Sequence, residues 1–299
     1  MFNGMDRRDF LKLIGLGAAV IVMETGNFAS AADKTIAQDT LTFLQLSDTH
    51  WGFSDPKINP DFAGTLKKAI AQINGMKSQP DFIMFTGDVT HTTDDPKERR
   101  KRMGEAREII GSLKSKNIRM MPGEHDAGLD NGEAFQEYFG KTHYTFDYKG
   151  VHFIVVDNVS DPTSSIGDTQ LQWLSAEMEK LDKDSRIVIF THRPLFDLYP
   201  QWDWWTRDGA KAIDILTPYK NVVVFYGHIH QENHHMTGHI EHHAARGMLF
   251  PLPAPGSVPK RVQLPWDSTQ PYRGVGFRSA VPKTDGYGYV LTEFPIIKA

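Results

Sequence analysis

Cysteine is absent from the 299 residues. That excludes disulfides, thiolate zinc sites, iron–sulfur clusters, c-type haem attachment and cysteine nucleophiles. Charge of one sign is not in excess: 33 Lys plus Arg face 37 Asp plus Glu, a formal net charge of −4. Without a basic surplus there is no electrostatic footprint for a polyphosphate partner, which argues against a dedicated nucleic-acid binder. Long apolar runs are lacking as well. The run at residues 13–23 has about half the ~20 residues a membrane-spanning helix needs, so no transmembrane domain is expected in the mature chain. No internal repeat is present, which sets aside solenoids and propellers.

What is present fits a folded chain. The apolar fraction is 40% and the charged fraction 23%, the composition of a globular protein with a full core. Histidine stands out, with 13 copies. Near the start, Arg7-Arg8-Asp9-Phe10-Leu11-Lys12 precedes the short apolar run, and Ala29-Ser30-Ala31 fits a small-x-small cleavage pattern. This order resembles a twin-arginine export signal. It implies a signal over residues 1–31, passage through the twin-arginine export machinery, and a mature chain in a bacterial periplasm, or attached to the membrane if the signal is kept. Residues 32–299 read as a single domain, because no stretch is long or polar enough to be a linker. The Pro-rich stretch 251–276 is broken by aromatic residues and arginine and reads as an ordered loop.

Strand-like and helix-like segments alternate along the mature chain. Residues 41–46, 82–85, 118–121, 186–190 and 222–226 are short apolar runs, read as strands of a sheet covered on both faces. Residues 62–76, 96–114 and 168–181 carry helical spacing. Residues 144–148 and 151–156 flank Lys149-Gly150 and read as a hairpin. A last strand is expected over 287–294. The pattern predicts an α/β fold.

Five short motifs each follow one of those strands. They are Asp48-Thr49-His50, Gly87-Asp88, Gly123-Glu124-His125-Asp126, Thr191-His192 and Gly227-His228-Ile229-His230. In open α/β sheets, ligands bind outside the carboxyl ends of strands, so the motifs converge on one edge. Neutral imidazoles and carboxylates together suit zinc, manganese, iron or cobalt. The set offers more ligands than one ion takes; two ions bridged by a carboxylate use them all.

The order Asp-x-His, Gly-Asp, Gly-Asn-His-Asp/Glu, His, Gly-His-x-His resembles the calcineurin-like metallophosphoesterase superfamily, with one departure at Glu124. The resemblance implies a sandwich of two mixed β-sheets flanked by helices, and a small-molecule phosphoester substrate hydrolysed by a hydroxide bridging two divalent or mixed-valence ions of the Mn/Fe/Zn class. Carried over position by position, Asp48, His50 and His230 hold the first metal and Asp88 bridges both. Glu124, His192 and His228 face the second. His125 is the general acid on the leaving oxygen, and Asp126 hydrogen-bonds its imidazole. The purple acid phosphatases carry a metal-binding tyrosine shortly after Gly-Asp, where this chain has Val89-Thr90-His91-Thr92, which disfavours that subgroup.

The family usually has Asn where Glu124 stands. An ionised Glu cannot donate to a phosphate, and it adds a negative charge. Asp48, Asp88, Glu124 and a hydroxide cancel the four charges of two divalent ions. The expected consequences are a firmer hold on metal or a preference for trivalent iron, and a weaker attraction for anionic phosphate that affects singly charged diesters less than dianionic monoesters. A second reading keeps the fold but makes the protein an exported metal-binding or partner-binding member with weak or no hydrolase activity, its centre neutralised by Glu124.

Other features have plainer readings. His234, His235, His239, His242 and His243 read as a solvent-exposed hairpin rather than a second metal site. His91 reads as a loop histidine, and His143 and His152 as structural. Trp202, Trp204 and Trp205 are either a stacking platform at the mouth or the core of a lid. Arg193 either reaches a substrate oxygen or pairs with a neighbouring carboxylate.

Overall fold

The structure is a computed structural model that describes residues 40–284 and 286–297. The expected export signal lies outside the described residues. The chain runs β1 (Phe43–Leu46), α1 (Thr65–Asn74), β2 (Phe82–Thr86), α2 (Pro96–Ile110), β3 (Ile118–Met121), α3 (Glu124–Ala127), α4 (Glu133–Phe139), β4 (Tyr144–Tyr148), β5 (Val151–Val155) and α5 (Asp168–Met178). It continues through β6 (Arg186–Phe190), a 3-10 turn (Pro200–Trp202), α6 (Gly209–Leu216), β7 (Asn221–Tyr226), β8 (Asn233–Thr237), β9 (Ile240–Ala244), β10 (Gly276–Pro282) and β11 (Tyr289–Pro295).

Two mixed sheets result, ordered β11-β10-β1-β2-β3 and β4-β5-β6-β7-β9-β8. In each, a parallel centre (β1-β2-β3, and β5-β6-β7-β9) is flanked by antiparallel strands. β1, β2 and β7 are buried along their whole length, as parallel strands covered on both faces must be. The sheets face each other across an aromatic layer. Phe43 of the first stacks on Phe82 at 5.0 Å and meets Phe190 and Phe225 of the second edge-on at 5.6 and 5.2 Å, offset and T-shaped geometries that rings prefer. Helices α1 and α2 cover the outer face of the first sheet; α5 and α6 cover that of the second. This is the expected α/β sandwich of two mixed sheets flanked by helices.

Local chemistry sets the boundaries. Asp95 caps α2 by accepting from the Lys97 backbone N–H, and Pro96 sits at its first position. That helix stops at Ile110 rather than residue 114, because Gly111 closes it. In the β4–β5 hairpin, Lys149 and Gly150 both have positive φ (46° and 73°), matching the right-handed twist of the flanking strands. From the sequence a hairpin is expected where β8 and β9 form, without strand bounds, and β10 is not anticipated. β8 (Asn-His-His-Met-Thr) lacks an apolar alternation, and β9 follows it in the same histidine-rich hairpin. β10 carries Arg278, fully buried and paired with Glu293 at 2.7 Å. Among the described residues no helix is long and apolar enough to cross a membrane.

Candidate metal centre

The turns that leave β1, β2 and β7 are conformationally costly. Asp48, His50, Asp88, His228 and His230 all have φ between 43° and 66°. Asp and His are among the non-glycine residues that tolerate this region, but each such residue still stores ~1–3 kcal/mol. Cross-turn hydrogen bonds hold them: Asp48 N–H to Gly87 O (3.0 Å), His50 N–H to Asp88 O (2.9 Å), and His228 N–H to Asp48 Oδ2 (3.2 Å). Two glycines are dictated by space. A Cβ on Gly87, whose φ is +92°, would lie 2.4 Å from His192 Nδ1. One on Gly123 would lie 2.0 Å from Asp88 Oδ1.

The five motifs do converge, in two principal groups of donor atoms, with His125 within reach of both His50 and His91 and of Asp88 and Glu124. Asp48, His50, Asp88 and His230 form the first; Glu124, His192 and His228 form the second. In the first, His50 Nε2 lies 3.1 Å from His230 Nε2, and His230 Nε2 lies 3.3 Å from Asp48 Oδ1. In the second, Glu124 presents Oε2 to His192 Nε2 and Oε1 to His228 Nδ1, each at 2.8 Å. Asp88 Oδ2 stands between them, 3.6 Å from His50 Nε2 and 3.5 Å from His192 Nε2.

The donor set fits transition metals. Asp48 Oδ1, Glu124 Oε2, His192 Nε2 and His228 Nδ1 are buried without a hydrogen-bond partner, an arrangement that is costly unless the atoms ligate something. The opposite ring nitrogens explain why. His192 Nδ1 meets Thr86 O at 2.6 Å, His230 Nδ1 meets Phe250 O at 2.7 Å, and His228 Nε2 meets Asp203 O at 2.9 Å. A carbonyl can only accept, so each of those nitrogens carries the proton. In the neutral ring the inward nitrogen then keeps its lone pair, as a metal-bound histidine requires. Burial pushes the Glu124 carboxyl up, but the charges of His228, Arg193 and His192 outweigh it and hold the group well below the usual carboxylate range. Burial likewise opposes the charged form of His192, yet Asp88 and Glu124 raise it well above an ordinary histidine. The centre therefore stabilises anionic carboxylates and draws positive charge.

His125 stands at the mouth, with Nε2 3.9 Å from Asp88 Oδ2. Its expected partner is corrected. Asp126 makes no hydrogen bond with the imidazole among the described residues. Its carboxylate accepts from the backbone N–H groups of Val89, Thr90 and Gly123 and from the Thr90 hydroxyl, at 2.7–3.0 Å. The reason is geometric: Asp126 lies in the first turn of α3, reaches back to the open Gly123 N–H at its start and across to the N–H groups of the turn after β2. Burial and the Asp88 charge push its carboxyl up to about 6. Thr92 is the partner of His125 instead, with Oγ1 2.5 Å and N–H 3.3 Å from Nδ1. Asp126 is thus a brace between the turns after β2 and β3. Asp126→Ala is expected to lower the unfolding free energy by ~3–5 kcal/mol, since three buried N–H groups each lose a partner at ~1–3 kcal/mol. Denaturant unfolding measures this, and a change below about 1 kcal/mol would remove the bracing role.

Several plainer readings also resolve. His91 is no ordinary loop histidine: its Nδ1 lies 3.3 Å from His50 Nδ1, and its ring stacks on His125 at 4.9 Å. Its place three residues past Asp88 was the available signal. Arg193 pairs with Asp203 Oδ2 at 2.6 Å and points Nε at Glu124 Oε2 from 3.9 Å, so it offsets part of the Glu124 charge. Trp202 and Trp204 are buried in a core with Tyr226 and Phe250, and so hold in place the Asp203 carbonyl that fixes His228. The histidine hairpin is exposed only in part. His242 and His243 are buried, because β9 pairs with β7 on one side and β8 on the other.

Comparison with known proteins agrees with this geometry. Residues 41–232 match the family model described as calcineurin-like phosphoesterase. A protein of Rhodopseudomonas palustris named a probable cyclic nucleotide phosphodiesterase is 24% identical over 241 residues, covering 73% of this chain and 84% of that one. One of Arcobacter nitrofigilis named a probable glycerophosphodiester phosphodiesterase is 26% identical over 202 residues, covering 63% and 71%. Among solved structures, a dimetal phosphatase from Danio rerio superposes with a TM-score of 0.57 at 15% identity, covering 87% of this chain and 97% of that one.

Proposed function

We propose that this chain, which belongs to the calcineurin-like phosphoesterase family and is a metal-dependent phosphoesterase, binds two transition-metal ions and prefers phosphodiesters to phosphomonoesters. The observation that carries the reading is the pair of buried donor groups meeting at Asp88 Oδ2. Asp48, His50 and His230 serve one ion, Glu124, His192 and His228 the other, and Asp88 both. Such ions, when bound, polarise a phosphoryl oxygen and lower the pKa of water.

The chain's own residues supply the rest. The Thr92 N–H can only donate, so Nδ1 of His125 is the acceptor and the proton sits on Nε2. That is the nitrogen turned toward Asp88; once Nδ1 is protonated as well, with Thr92 Oγ1 accepting there at 2.5 Å, the imidazolium can pass its Nε2 proton to a departing alkoxide and return to the neutral ring. His91 stacks behind the imidazole and limits its rotation. Glu124 sets the preference for diesters. It brings a full negative charge beside the place where phosphate binds, and a dianionic monoester is repelled more than a diester. The two curated relatives named above are called phosphodiesterases, in line with that preference. The N-terminal pattern supports export to the periplasm.

The test is turnover of a chromogenic diester and the matching monoester with added Mn, Zn or Fe, together with metals counted per chain. The diester is expected to turn over faster, with near two metals bound. Glu124→Asn is expected to move the monoester-to-diester ratio up by ~10-fold, a modest share of one charge acting over a few ångström. A ratio unchanged by that substitution would show that Glu124 does not set specificity. Bound metal without turnover on either ester would return the chain to the binding reading.

A further inference from the structure

Away from the metal centre, the first sheet ends on β3, and beside that edge lies a groove of about 520 Å³. Its size falls within the ~300–1,000 Å³ of small-molecule sites. We propose that it binds a small aromatic phosphate, of the size and charge of a mononucleotide.

Charge is the first argument. Arg107 from the last turn of α2, Arg119 from β3 and Lys141 just after α4 all line the groove, and no carboxylate does. None of the three forms an ion pair among the described residues, in a chain whose net charge is −4. The carbonyls of Gly111 and Leu113 at the end of α2 do not oppose an anion, because Lys116 Nζ occupies both. Arg119 is held in place: its guanidinium lies over the Phe146 ring at 4.6 Å, and its Nε is buried without a partner. A guanidinium fixed by stacking keeps a permanent positive charge beside the groove, which suits a phosphate.

Shape is the second. Tyr138, Phe139 and Tyr144 give the groove an aromatic wall, on which a base can stack for ~1–3 kcal/mol by the measure of single-stranded nucleic-acid binding. An extended peptide is disfavoured as occupant. The Tyr144 hydroxyl donates to Met120 O and accepts from Met120 N–H, at 2.9 and 3.1 Å, so the β3 edge is already closed to strand addition. A compact ligand carrying a ring and a phosphate satisfies both the cations and the wall.

The probe is the non-hydrolysable phosphonate analogue of AMP, added to the metal-loaded full chain and followed by amide hydrogen exchange and by titration. Slower exchange is expected around residues 107–111, 118–120 and 139–144. Arg107→Glu combined with Lys141→Glu changes two exposed side chains; it should weaken that binding at least tenfold while leaving diester turnover unchanged. Arg119→Met removes the half-buried cation and should weaken analogue binding as well; unchanged binding would remove Arg119 from the site. Adenosine and inorganic phosphate should each protect these segments far less than the analogue. The proposal is overturned if the analogue protects only the turns around Asp88 and His228, or if the double variant binds it unchanged. Equal protection by inorganic phosphate would overturn the aromatic subsite. Protection by anionic phosphatidylglycerol vesicles but not by the analogue would overturn the choice of occupant.

Discussion

Asp88→Asn is expected to cost at least one bound metal per chain and ~10³-fold or more in diester turnover, the several kcal/mol that metal assistance supplies. The argument rests on how the amide must sit. Asp88 Oδ1 accepts from the His125 backbone N–H at 2.9 Å, and only the amide oxygen can replace it. The NH2 is then forced into the place of Oδ2, between His50 and His192. A donor there faces inward where both groups of ligands need a lone pair. The substitution is nearly isosteric, so the close approach of Gly123 is undisturbed and the fold should persist. Elemental analysis and turnover on the same preparation check this. Retained metal with retained rate would show that Asp88 does not join the two groups.

His125→Ala should act differently. Metal content is expected to hold, because the two groups that meet at Asp88, with Asp48, His50 and His230 on one side and Glu124, His192 and His228 on the other, are complete without His125, whose Nε2 lies 3.9 Å from Asp88 Oδ2. Turnover should fall by ~10²–10⁴-fold, the range for losing a positioned general acid. The size of the loss should follow the leaving group. An alkyl diester, whose departing alkoxide needs a proton, should lose the full amount. A nitrophenyl diester, whose leaving group departs readily as the anion, should lose much less. Equal losses on both esters would mean that His125 binds phosphate and does not protonate the leaving oxygen.

Much of the convergence at this centre is legible in the sequence, for a physical reason. Metal ligands must be His, Asp or Glu at the ends of buried strands, and both residue type and strand hydrophobicity are written locally. What lay hidden depended on distance across the fold. Asp126 follows His125 in sequence and looked like its partner, yet the helical turn that begins at Glu124 aims the two side chains apart. Thr92, which does meet the imidazole, belongs to a different turn 33 residues away. Strand β10 was invisible because a buried arginine interrupts it, and only its pairing with Glu293 of β11 makes that arginine tolerable. The tryptophans were ambiguous for a similar reason. Their burial follows from contacts with Tyr226 and Phe250, residues from distant parts of the chain.

One feature of the architecture reaches beyond chemistry. Asp48, Asp88 and Glu124 leave the first sheet, whereas His192, His228 and His230 leave the second. Metal ligation by these residues would therefore tie the two layers together at one end of the sandwich, opposite in kind to the aromatic packing between them. By mass action, an ion that binds only the folded chain adds ~2.7 kcal/mol at a free concentration one hundred times its dissociation constant. That gain would help to offset the strain stored at the five left-handed residues, Asp48, His50, Asp88, His228 and His230, in the three turns of the centre. Metal supply and folded lifetime are then a single linked equilibrium, and starvation for metal weakens the cohesion of the sheets along with the chemistry.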